Sequence, residues 1–204
     1  MFALTIDQRR SRSGADAVPE LLTQLAAVPA ELGFERTVGD EIQALLGEPA
    51  AVIDALHIVI RDGGWSAGLG IGAVRRPLPG SVREASGPAL VDAREAVEAA
   101  KTAGPVRVSV RSASSPAYAA EIEALVRLIG LVLERRTDSQ WRIVDAVREH
   151  DTQRAASQAL AISPQAVSKA LATAAVDVED AGYPLLERLL AAADDAGDER
   201  SGTR

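Results

Sequence analysis

The sequence predicts an α/β fold of the α+β kind: a single-sheet domain over residues 1–112, then an all-α domain. Three observations carry this expectation. Up to Arg111, short apolar runs with β-branched members alternate with helical periodicities in the order β-α-β-β-α-β-α-β, the pattern of one sheet with helices packed on one face. Ser112 to Pro116 is a small Ser-rich linker and marks a boundary. Beyond it, every apolar pattern repeats at helical spacing.

Phe2 to Ile6 reads as a buried strand ending at Asp7. The polar, basic loop Gln8 to Gly14 follows, either a solvated connection or a cradle in which arginine forks hold phosphate. Ala17 to Leu32 has helical spacing, with Pro19 tolerated in the first turn. Phe34 to Leu46 reads as a hairpin turning at Gly39-Asp40-Glu41, because glycine reaches positive φ freely and Asp bonds its own backbone. Asp40 and Glu41 thereby sit at or just after the tip, facing solvent. They are an acidic turn with no task, or a place to meet a hard cation or polar ligand. Pro49 opens a helix over Ala50 to Arg61, with Val52, Ile53 and Leu56 on its apolar stripe. Trp65 to Val74 is a strand whose glycines at 68, 70 and 72 share one face, open to a closely packed helix or to a ligand. Pro88 to Lys101 is an amphipathic helix and Pro105 to Arg111 a last, half-buried strand.

In the second half, a linking helix spans residues 117–136. Its broad stripe (Ile122, Leu125, Val126, Ile129, Val132 and Leu133) must be buried against the sheet domain or a second copy; this helix, with the habit of the families the chain resembles below, makes a homodimer the expectation. Residues 137–204 form the helical domain. Trp141, Ile143, Val144 and Val147 make the apolar side of its first helix. Thr152 caps a second over Gln153 to Leu160, Ala161-Ile162 turn, and Ser163-Pro164 start a third. Tyr183 to Ala193 is a closing helix, and the polar tail from Asp194 is expected to fray.

Composition narrows the function classes. A net charge of −7 argues against broad electrostatic binding to nucleic acid or anionic membrane, leaving room for a local basic patch. The chain has no cysteine, so thiolate chemistry and disulfides are excluded and a reducing, cytoplasmic setting is expected. His57 and His150 are too far apart in sequence to make a zinc site by themselves and read as surface or helix-end residues. No uncharged apolar run reaches the ~20 residues a membrane helix needs.

The element order resembles the ferredoxin-like palm of class III nucleotidyl cyclases and GGDEF domains. That resemblance implies metal-binding carboxylates at the end of the first strand and at the hairpin tip, here Asp7 and Asp40, with Glu41 beside the latter. Gly39-Asp40-Glu41-Ile42 is similar to GDEF, although Val38 stands where the first G of GGDEF would be. More closely, the chain resembles the SatD family. Asp7, Ser11 and Arg12 match its first-strand motif, and Gly39 to Leu46 (GDEIQALL) its GDEFQGLL hairpin. Gly68 to Gly72 match its glycine-rich strand, and Gly87-Pro88-Ala89-Leu90 with Ala93-Arg94 its following helix. Ile6 and Ser86 depart from that pattern. The cyclase likeness implies an Asn and an Arg on this helix for the transition state. Arg94 matches the Arg, but Leu90 stands where the Asn would fall, which counts against phosphoryl transfer.

Thr152 to Ala174 resembles the helix-turn-helix of bacterial regulators and of sigma-factor region 4. In that reading Thr152, Gln153, Ser163, Gln165, Ala166, Ser168 and Lys169 contact DNA. Gln can read adenine edges and Lys can hold phosphate or guanine. Taken together, the expected protein is a DNA-binding regulator with a dimerising palm domain that senses a nucleotide with Mg²⁺. Asp7, Asp40 and Glu41 would meet the cation; Ser11, Arg12, Gly39, Gly70, Gly72 and Arg94 the anionic groups. The alternatives are a cyclase-like phosphoryl-transfer enzyme with a helix-turn-helix output domain, and a scaffold whose three-helix unit docks another protein.

Overall fold

The first strand lies at the centre of the sheet. In the computed structural model, which describes residues 1–9, 15–150 and 152–201, β1 (Phe2–Gln8) pairs antiparallel with both β3 (Glu41–Leu46) and β4 (Trp65–Ile71). β2 (Leu32–Arg36) closes on β3 as a hairpin. β5 (Val108–Arg111) runs parallel to β4, and the order is β2-β3-β1-β4-β5. Among the described residues eight α-helices accompany this mixed sheet: α1 (Val18–Leu25), α2 (Pro49–Asp62), α3 (Pro88–Ala100), α4 (Pro116–Glu134), α5 (Asp138–His150), α6 (Gln153–Ala159), α7 (Pro164–Thr173) and α8 (Val176–Ser201). The protein is α/β. No described helix is long and apolar enough to cross a membrane.

Alternation along β1 divides the residues between the two faces. Phe2, Leu4 and Ile6 join Leu69 and Ile71 of β4 in a core with α1, α2 and α4. Ala3 points the other way, into a smaller cluster with Leu45, Val82, Ala89 and Ala93. Helices therefore cover both faces, where the sequence predicted one. The cause is the glycine-rich strand. A Cβ on Gly68 would lie 2.1 Å from Val97 N, and one on Gly70 would lie 2.0 Å from Ala89 O. With no side chains in the way, α3 packs backbone-to-backbone on β4 through Ala89, Ala93, Ala96 and Val97. Of the two readings of this strand, the packed helix is the one realised at Gly68 and Gly70.

Other boundaries shift for local reasons. The helix predicted over Ala17–Leu32 stops at Leu25, since Pro29 disfavours helical geometry before it, and Leu32 already belongs to β2. On α4, Ile122, Val126, Ile129 and Leu133 enter the same core as the sheet, and Leu186, Leu190 and Ala193 of α8 complete it. The stripe is thus met within the chain. Ser112 and Ser115 are buried, and Ser115 Oγ donates to Ala193 O at 3.3 Å, so the Ser-rich segment is fastened to α8. The tail from Asp194, expected to fray, continues as helix to Ser201.

Gly68→Ala or Gly70→Ala will push α3 off the sheet and lower unfolding free energy by about 3 kcal/mol or more. Gly72→Ala, whose new Cβ would meet nothing nearer than 3.7 Å, will cost less than about 1 kcal/mol. Denaturant melts of the three variants measure both.

Candidate functional site

The register of β1 sets out a polar strip on the α3 side of the sheet. Asp7 is the Cα partner of Glu41 on one side and Ser66 on the other. One pleat along, the buried Gln43 Nε2 donates to Thr5 Oγ1 at 3.3 Å. The hairpin tip has the predicted turn: Gly39 takes φ +63°, and Glu41 N donates to Val38 O at 3.1 Å. Asp40 stands close enough for its charge to act on Asp7.

Helix α3 supplies the cations. Arg94, Glu98 and Lys101 are spaced i, i+4, i+7 and so share one helix face. Lys101 Nζ lies 2.9 Å from Asp7 Oδ2 and 2.7 Å from Glu98 Oε1. Arg94 Nη2 reaches Glu41 Oε1 at 3.4 Å, and the same oxygen accepts from Thr37 Oγ1 at 2.7 Å. Burial raises the Asp7 carboxyl above its ordinary range, although Lys101 acts against it. Burial alone would lower the Lys101 ammonium, but its hydrogen bonds to Glu98 and Asp7 win and raise it.

The structure thus brings Asp7, Glu41 and Arg94 together, with Asp40 at the neighbouring tip. Ser11 and Arg12 lie outside the described residues. Gly70 lies beneath α3, so that face of it is closed to an anion, while Gly72 faces the start of α3 at ordinary contact distance, 3.7 Å from Ala89 N. Lys101 and Glu98 were missed, although their spacing from Arg94 was readable in the sequence. Among the described residues the donors do not make the near-octahedral set of oxygens that Mg²⁺ needs. Asp7 and Glu41 are already engaged by cationic side chains. Among the described residues, no group of three or more His, Cys, Asp or Glu side chains could hold a metal ion.

A second candidate surface lies on α6 and α7. Thr152 Oγ1 accepts from Ala155 N and Ser163 Oγ from Ala166 N, both at 3.1 Å, so each helix starts on the predicted cap. Ala161 turns the chain at φ +53°. Ala156 and Val167 are buried between the helices. Thr152, Gln153, Ser163, Gln165, Ala166, Ser168 and Lys169 are all exposed.

Behind that surface is a buried charge cluster that the sequence reading did not anticipate. Glu179 of α8 is fully buried. Its Oε2 lies 2.6 Å from Arg136 Nη2, an ion contact whose angle falls short of a hydrogen bond. Its Oε1 accepts from Arg148 Nη2 at 3.0 Å and from the Tyr183 hydroxyl, with His57 Nδ1 at 3.3 Å. His57 is therefore partly buried: it sits mid-α2, edge-on to Trp141 with ring centroids 5.6 Å apart. His150 ends α5 and is exposed, as expected. Burial works to raise the Glu179 carboxyl, but hydrogen bonds from His57, Tyr183 and Arg148 overcome it and hold the group far below its ordinary value. Burial and the bond to Glu179 push the Tyr183 hydroxyl far above its own.

Against family models, curated proteins and solved structures alike, the chain finds no match. The SatD-like and cyclase-like resemblances thus rest on the motifs alone.

Removing Glu179 leaves Arg136 buried without its counter-charge, so Glu179→Ala will cost about 3–5 kcal/mol. A depressed carboxyl contributes stability that is complete above its unfolded value and is lost as pH falls. Stability will therefore decline as pH drops below 4.5, the ordinary glutamate value, and the Glu179→Gln protein will show a flatter decline in acid melts.

Proposed function

We propose that the protein is a DNA-binding regulator that reads DNA with α7, its α/β part acting as a dimerising, nucleotide-sensing domain. The observation that carries this is the α6–α7 pair. Its apolar residues Ala156 and Val167 are inside, both N-caps are made, and every residue expected at the groove is exposed. Between Thr152 and Ala175 the sequence places two charges, Arg154 and Lys169, both positive. That gives the face a mildly basic character within a chain of net charge −7. One lysine on the reading helix makes few phosphate contacts, so two copies on two half-sites would be needed for firm binding.

The strand order β2-β3-β1-β4, with each neighbour antiparallel, supports the palm-like reading of the α/β part. Leu90 supports binding over catalysis. At the place where a cyclase would offer a polar group, it packs against the small apolar cluster containing Ala3 and Leu45. Among the described residues, Arg94 is the exposed cation this reading offers to a nucleotide's phosphate.

Genome-wide DNA capture with the wild type will give discrete peaks that vanish in a Gln165→Ala/Lys169→Ala variant. On a captured site, Gln165→Ala will cost about 1–3 kcal/mol of specific binding, and Lys169→Ala will reduce the salt slope by about 1. Equal capture by the wild type and the double variant would remove α7 from DNA recognition.

A further inference from the structure

We propose that Lys101 is a built-in cation: its ammonium holds the place between Asp7 and Glu98 that a divalent ion would otherwise take. On this reading the carboxylate strip works without metal. The inference concerns the sheet side of the molecule and does not depend on DNA binding.

Three observations carry it. First, Lys101 Nζ is within 2.9 Å of Asp7 and 2.7 Å of Glu98, carboxylates from different elements. An ammonium has three donors and no acceptor, which suits a notch lined by acceptors. Second, the lysine is fixed there. It is the C-cap residue of α3, where positive charge is favoured by the helix's free carbonyls. Its own carbonyl accepts from Arg107 Nη1, just before β5, so the stem starts from an anchored backbone. Third, Glu41, the Cα partner of Asp7 on β3, is engaged by Thr37 and Arg94. An ion entering here would have to displace tethered side chains, whose effective concentration is in the millimolar range or above.

Removing the ammonium while keeping its stem should open the notch. Full-length wild type, Lys101→Met and Lys101→Met/Asp7→Asn are melted in about 10 mM MgCl₂ or MnCl₂ and in NaCl of matched ionic strength. The wild type will be unmoved by either ion. Lys101→Met will melt about 2–4 °C lower in NaCl and recover with Mg²⁺ or Mn²⁺. The double variant will regain stability in NaCl and ignore both ions. The proposal is overturned by a saturable Mg²⁺ or Mn²⁺ shift in the wild type that Asp7→Asn abolishes. It is equally overturned by a Lys101→Met protein that ignores both ions. DNA capture by the wild type is read separately, so failure here leaves the regulator reading standing, and the reverse.

Discussion

A carboxylate with no solvent contact, Glu179, is the constraint on which the arrangement of the helices depends. An ionised side chain in that position is tolerable when its charge is matched and its lone pairs are filled. The matching groups come from far apart in the chain: His57 from α2, Arg136 from the connection after α4, Arg148 from α5, and Tyr183 from α8 itself. Each must be in place for the others to be. Arg136 carries the link further, because its Nε donates to Ala174 O at 2.9 Å, at the end of α7. The helix offered here as the DNA reader is therefore tied by side chains to a helix lying on the sheet. Trp141 reinforces the joint, with the Arg61 and Arg136 guanidinium carbons 4.2 and 4.8 Å from its ring centroid.

The α3 side of the sheet follows a different logic. Thr5, Asp7, Glu41 and Gln43 break the apolar alternation that serves the opposite face; Thr5 and Gln43 partner each other, while Arg94 of α3 and Lys101 at its C-cap meet Glu41 and Asp7. Folding alone does not require such a strip. Ordinary apolar residues at those pleats would pack against the helix, as Ala3 and Leu45 do at the other end of the same strands. The Asp7 carboxyl, raised by burial, shows that ionising it there costs free energy.

Much of this was legible in the sequence because it is local. The Gly39 turn, the caps at Thr152 and Ser163, and the outward residues of α7 depend on a few neighbouring residues and stood where periodicity and turn chemistry put them. What was illegible is what joins distant segments. The glycines of β4 showed that something comes close to the strand, but α3 as its occupant could be one reading of two until the two were placed together. His57 read as a surface residue because its partners Glu179 and Tyr183 lie more than a hundred positions away. Likewise, the apolar stripe of α4 announced burial without naming its partner.

The closing of the main core by Leu186, Leu190 and Ala193 bears on how the chain reaches this state. During synthesis the central strand β1 is made first and α8 last among the described elements. Until α8 arrives, the apolar surface of α2 and α4 has no cover, and Arg136 has no counter-charge. The sheet can pair early, yet the finished core waits for α8 to reach back to α2 and α4, a long-range step that slows folding. A nascent chain stalled before α8 would be a sticky, half-closed intermediate, and a natural client for a chaperone.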